Sequence, residues 1–316
     1  LQTFDLLTIV ANLWVIFVKR QRRLIAFAML LVPAASLVEG FRNTSESADL
    51  FDLSFFLAAL FLTAILALQA WREWRAREEL RAEFDAARDV QERLVTPAVD
   101  LPGFKIQSAY LPAKDVGGDF FFVRAGHNGR YPDNRDLTGG AFVVVGDVSG
   151  KGLRAALTVS AIMGALRTMP DLEPSRVLEA LNRGLIGQLG GGFVTCCALT
   201  ISADGTAIFA NAGHLQPYCN GNEVTLDCGL PLGITAAADY AETTVRLAPD
   251  DRLTFITDGV LEATNPATKE LFGFERAAAI SNESAERVAQ AAQAFGQEDD
   301  ITVVAVTRTA LAPALA

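Results

Sequence analysis

Four short stretches of this chain set acidic residues beside glycine or another small residue at the ends of apolar runs. They are Asp119 in K-D-V-G-G-D-F, Asp147 in G-D-V-S-G-K-G, Asp258 in T-D-G-V-L-E-A-T-N, and Asp299 with Asp300 in E-D-D-I-T-V-V. Small neighbours let the backbone turn, so each carboxylate can point into a shared crevice. Oxygen donors of this kind suit hard divalent cations such as magnesium and manganese. Two such ions about 3.5 to 4 Å apart can hold one water, lower its pKa and aim it at phosphorus while offsetting the phosphate charge. A single Asp-Gly signals no more than a turn; four acidic sites of one kind signal a centre. The sequence offers no Ser-His-Asp, Cys-His or cysteine-nucleophile arrangement as competing chemistry.

These acids need rigid elements to carry them. From about Pro97 onward, strand-like runs (AFVVVGDV, FVTCCALTIS, TAIFANA, RLTFITDG, ITVVAV) alternate with helical stretches at Ala155 to Met169, Ser175 to Leu189 and Glu283 to Phe295. Several runs end directly on the acids. Cys196, Cys197, Cys219 and Cys228 lack Cys-x-x-Cys spacing and are read as reduced, structural thiols. The polar stretch Arg124 to Gly140 reads as an insert with His127 at the surface.

The 316 residues are 51% hydrophobic with a net charge of -10. Surplus acid argues against a nucleic-acid partner, which needs a cationic surface. Residues 1–70 are apolar, 71–96 densely charged and 97–310 of ordinary globular composition, which predicts three compartments. Leu50 to Ala70 is a 21-residue run with Asp52 as its one charge, long enough to cross a hydrocarbon core of about 30 Å. Leu1 to Val18 and Leu24 to Val38 are shorter companions. Lys19, Arg20, Arg22 and Arg23 lie between the first two segments, whereas Glu39 to Asp49 is mainly acidic. The positive-inside rule then puts the basic loop and the end bearing Arg72, Arg75 and Arg77 in the cytoplasm, with Trp71 and Trp74 at the interface. An inner-membrane protein of at least three helices is expected, and Leu1 in place of Met is read as a missing N-terminus. In residues 72–95, Leu80, Ala87 and Leu94 recur every seven positions, which suggests a helical linker able to form a homodimer; Pro97 ends it.

The order Q-E-R-L-V-T-P, Y-L-P-A-K-D-V-G-G-D-F, G-D-V-S-G-K-G-L-R-A-A-L, F-V-T, N-A-G-H-L-Q-P, L-P-L-G-I, T-D-G-V-L-E-A and D-D-I-T-V-V, from about Gln91 to Val306, resembles the SpoIIE-like branch of the metal-dependent protein Ser/Thr phosphatases. The resemblance implies an α/β fold of two antiparallel sheets flanked by helices, with metals in the cleft between sheet edges. It implies Asp147 bridging two manganese or magnesium ions, with Asp119 and the Val148 carbonyl completing one site. Asp258 and one of Asp299 and Asp300 would hold the other ion; Asp299 is preferred, two residues before Ile301. The catalytic role of Asp147 and Asp119 would run through a metal-activated water. A phosphorylated anti-sigma-factor antagonist is the implied partner, and Gly150 to Gly152 with Leu153 to Met169 matches the branch's regulatory helix.

Departures are informative. Phe122 stands where the family commonly has a second Asp, and no Arg matches the phosphate-gripping one of eukaryotic relatives, so Lys114 is the substrate-binding candidate. His214 in N-A-G-H reads as a structural turn residue, and Glu262 and Asn265 as loop-shaping. G-G-D-F-F at Gly117 to Phe121 has Phe120 where a diguanylate cyclase needs an acid, which argues against that reading. A catalytically inactive phosphatase-like sensor is the remaining alternative.

Overall fold

The computed structural model describes residues 61, 63–65, 67–78, 100–113, 117–125, 140–170 and 173–309. Two of the three expected membrane segments, most of Leu50 to Ala70, residues 79–96 of the linker, Lys114 and His127 lie outside that set. The chain divides into Leu1–Ala82 and Glu83–Ala316. In the first unit residues 67–78 are helical, and the Arg75 guanidinium lies 4.2 Å over the Trp71 ring. Among the described residues no helix is long and apolar enough to cross a membrane.

The second unit is built on two sheets. One has the order β1 (Asp100–Leu101), β2 (Phe104–Leu111), β12 (Ile301–Arg308), β11 (Arg252–Ile256), β7 (Tyr218–Cys219) and β8 (Asn222–Glu223). The other has β10 (Glu242–Arg246), β6 (Thr206–Ala212), β5 (Val194–Ile201), β4 (Ala141–Val148) and β3 (Asp119–Ala125). Their pairings are antiparallel; the short β9 (Cys228–Gly229) adds a parallel pair to β6. The central strands are apolar on both faces because both are covered. Phe121, Val143, Val145, Leu199 and Phe209 of one sheet meet Phe104, Phe255 and Val304 of the other in the layer between them.

Helices cover the outer faces. α1 (Leu153–Thr168) and α2 (Pro174–Leu185) pack on the second sheet, burying Val159, Ile162, Leu178 and Leu181 against Phe120, Phe122 and Phe142. α3 (Asp258–Leu261), α4 (Gly273–Ile280) and α5 (Ala285–Gly296) cover the first sheet, with Val288 and Ala292 against Val303 and Ala305. Pro174 opens α2, where its missing N–H is no loss. Ser284 caps α5 by accepting from Arg287 N at 3.2 Å. The expected two-sheet fold flanked by helices is the fold observed.

Two boundaries differ from expectation. The helix expected to run to Leu189 stops at Leu185, because Ile186 leaves the helical region with a ψ of 126° and Gly187 takes a φ of 76°. Arg124 belongs to β3 rather than to the polar insert, and its guanidinium donates to the Met169 carbonyl at the end of α1 at 2.9 Å. Cys196 and Cys197 are buried free thiols, as a structural role requires, and burial raises the pKa of both.

Candidate metal centre

The layer between the sheets is apolar until its edge, where the side-chain alternation of β3 and β4 continues inward with acids. Asp119 and Asp147 are directly opposed partners in the antiparallel β3–β4 pair, on the same face as Phe121 and Val145. Asp258 follows β11 in the other sheet and opens α3. One ligand atom from each of these three residues lies within 4.8 Å of the others, close enough to hold a metal ion.

Three carboxylates so close repel one another and lose water, and the site shows both strains. Asp119 is 5% exposed, and its pKa is held well above the usual carboxylate range, chiefly by burial and next by Asp147. Asp147 is raised to about 7, again by burial first and then by Asp258 and Asp299. Asp258 is raised by burial and by Glu262. Against this, Thr257 Oγ1 and Thr302 Oγ1 both donate to Asp119 Oδ2, at 2.6 and 2.7 Å, which favours its charged form and leaves Oδ1 for another partner. An all-oxygen set with raised pKa values and one carboxylate locked in orientation fits a hard divalent cation, magnesium or manganese.

The Asp299–Asp300 pair divides its work. Asp300 is buried, its Oδ1 accepting from Ala113 N at 2.8 Å and its Oδ2 from Gly118 N at 2.9 Å, so both oxygens are spent on the β2–β3 loop. Asp299 is more open and meets Lys151 Nζ at 2.6 Å through Oδ2. Both border the same cleft of about 300 Å³, together with Asp147, Val148, Asp258 and His214. Gly118 touches the Val148 end of β4 through Val148 N, which donates to its carbonyl at 3.1 Å. A Cβ at Gly118 would stand 2.6 Å from the Val148 carbonyl oxygen, which explains why glycine precedes Asp119.

The remaining expected residues sort by their surroundings. Phe122 is buried in the helix-facing core, edge-on to Phe142 at 6.4 Å, so the position points away from the acids. His214 is clasped through its backbone by the Asn211 side chain, at 2.8 and 3.0 Å, and its Nδ1 pairs with Thr195 Oγ1 at 3.0 Å. Burial lowers its pKa to about 4, which leaves it a neutral structural residue at the cleft wall. Glu262 is exposed, and Asn265 Oδ1 accepts from Ala267 N and Thr268 N, so that motif shapes its loop. Thr257, Thr302 and Lys151 were not foreseen. The two threonines do neighbour the acidic motifs, Thr257 directly before Asp258 and Thr302 two residues after Asp300, and hydroxyls at that distance are the available signal.

With this geometry established, comparison with known proteins is decisive for the family. The profile of Stage II sporulation protein E (SpoIIE) matches residues 138–309, more than half of the chain. The chain belongs to the SpoIIE family. Among relatives, Phosphoserine phosphatase RsbU of Bacillus subtilis (strain 168) is 29% identical over 227 residues, covering 68% of this chain and 64% of RsbU. This SpoIIE-family chain therefore spans less than two thirds of that relative's length. Among solved structures, the RsbU and RsbW domains of Rv1364c from Mycobacterium tuberculosis superpose with a TM-score of 0.55 at 25% identity, over 69% of this chain and 62% of that one. The SiaA-PP2C domain of Pseudomonas aeruginosa gives 0.56 at 21% identity, over 74% and 99%, which supports the fold.

Proposed function

We propose that this SpoIIE-family chain is a metal-dependent protein phosphatase that hydrolyses phosphoserine or phosphothreonine on a regulatory protein. The observation that carries the reading is the cluster of Asp119, Asp147 and Asp258, two of which line an open cleft, with no direct ion pair to any of the three among the described residues. When bound there, two manganese or magnesium ions would activate a water and neutralise the phosphate. The chain's own residues do the rest. Asp147, Asp119, the Val148 carbonyl, Asp258 and Asp299 would hold the cations; Thr257 and Thr302 fix the direction of Asp119; Asp300 ties Ala113 and Gly118 to the start of β12. No side chain needs to form a covalent phosphoenzyme.

The substrate is best read as a phosphorylated anti-sigma-factor antagonist, supported by the family and by the phosphoserine phosphatase RsbU among its relatives. Residues 1–70 are read as an inner-membrane anchor with the phosphatase unit in the cytoplasm, supported by the apolar run Leu50 to Ala70 and the charge asymmetry of its loops. Residues 71–96 are read as a dimerising linker. Fractionation of cells expressing the full chain tests the anchor: recovery in the supernatant after a high-speed spin counts against it. The activity is tested by phosphate release from a phosphoserine protein with and without manganese. Release that depends on manganese and is lost in Asp147→Asn is expected; no release at saturating manganese would leave a phosphatase-like binding module instead.

A further inference from the structure

A phosphate group entering this cleft meets Asp147, Asp258, Asp299 and Asp300, and Lys151 is the one cation among the described residues that line it. Its setting is unusual. Lys151 sits between Gly150 and Gly152, whose φ values of 97° and 84° lie in the left-handed region and fold the loop back on itself. Ser149 anchors that loop on both sides: its N donates to the Phe193 carbonyl at 2.9 Å, and its Oγ accepts from Phe193 N at 2.8 Å. The backbone under Lys151 is thus fixed while its flexible stem projects over the cleft, 52% exposed, with Nζ on Asp299 Oδ2 at 2.6 Å. Lys151 also borders a smaller hollow of about 180 Å³ beside α1, lined by Arg154 and Phe193, so the ammonium has room to leave Asp299.

We infer that Lys151 is the substrate-phosphate-binding cation of this centre, its ammonium resting on Asp299 until a divalent ion takes that carboxylate. The inference builds on the phosphatase reading. An ammonium released from Asp299 stays at the mouth, where it can donate to phosphate oxygens that face away from the metal floor. This supplies the phosphate grip for which the sequence suggested Lys114. It also makes Lys151 a competitor of the ion at Asp299 when no phosphate is present.

The test uses the full chain with two probes, manganese and inorganic phosphate. In Lys151→Met, inhibition of phosphoserine-peptide hydrolysis by inorganic phosphate should weaken on the order of ten-fold, because a charge-assisted hydrogen bond is lost, and Lys151→Arg should restore most of it. Without phosphate, a manganese titration followed by electron paramagnetic resonance should show tighter binding of the weaker ion in Lys151→Met than in the parent chain. Unchanged phosphate inhibition, or unchanged manganese affinity, overturns the inference. So does a loss of phosphate affinity in Lys114→Met that Lys151→Met does not share. A parent chain that binds manganese and phosphate but releases no phosphate from the peptide overturns the phosphatase reading instead, while direct phosphate binding in the variants still tests Lys151.

Discussion

The layer between the two sheets has two unlike regions made by the same strands. Deep inside, Val143 and Val145 of β4 and Phe121 and Val123 of β3 pack against Phe255 and Val304, all buried. At the edge, continuing the same alternation, β3 begins with Asp119 and β4 reaches Asp147. One inward position along each strand separates a dry hydrocarbon contact from a pair of opposed carboxylates. The deep region stabilises the fold by burial alone, whereas the edge crowds buried carboxylates together, a cost that the proposed cations would offset. Like charges directly across a strand pair are unfavourable, and this pair is tolerated because the interior below it is sound.

The sharpest break of that contrast is Asp147→Asn. Phosphate release should fall on the order of a thousand-fold, the equivalent of several kcal/mol of charge stabilisation. Metal-free protein should meanwhile melt at a higher temperature than the parent, since one repelling carboxylate is gone. A lower metal-free Tm in that variant would contradict the account of the edge as strained. The opposite pattern is expected deep in the layer. Phe255 is 1% exposed and packs on Phe209 at 6.4 Å, so Phe255→Ala should destabilise by about 3 to 5 kcal/mol in urea titrations. The turnover of its folded fraction at saturating manganese should stay near that of the parent.

A smaller effect comes from the residues joining the regions. Thr257→Val removes one of two hydroxyls on Asp119 Oδ2 and should weaken manganese on the order of ten-fold, measured by calorimetry, without abolishing turnover. The mildest probe is pH. In the metal-free chain Asp147 has a pKa of about 7 against an ordinary 3.8, so the folded state holds an extra proton between those values. Its contribution to metal-free stability is therefore present at low pH and is lost as pH rises through about 7. Manganese binds the deprotonated site, so the Tm gain from saturating metal should grow over the same window and then level off. A gain that is flat with pH would remove the coupling.

The sequence made the acids and most of the strands around them legible, for reasons visible in particular residues. AFVVVGDV and ITVVAV are β-branched runs that end on or begin beside acids, and they became β4 and β12. β3 was harder, because Phe120, Phe121 and Phe122 hide the alternation: both faces of that strand are buried, one under α1 and one between the sheets. The linkages that tune the site were not legible beyond the nearness of two threonines to acidic motifs. Thr257 and Thr302 reach Asp119 across 138 and 183 positions, and nothing local encodes a contact at that separation. The family register, two residues before Ile301, favours Asp299 over Asp300 as a ligand, but what occupies Asp300 instead, the backbone amides of Ala113 and Gly118, is visible only in the fold.

The clasp of Asp300 on Ala113 and Gly118 carries a consequence for the order of events as the chain is made. Among the described strands β12 is the last to be synthesised, yet it lies between β2 and β11 and brings Asp300 and Thr302 with it. Until it inserts, the earlier acids exist, but Asp119 has the Thr257 hydroxyl without its Thr302 counterpart, and Ala113 N and Gly118 N lack the Asp300 carboxylate. Such long-range pairing is intrinsically slow to form. A chain that stops before Asp299 would carry Asp119, Asp147 and Asp258 without the Asp300 clasp or the Thr302 hydroxyl, so the proposed hydrolysis would wait for β12 to be made.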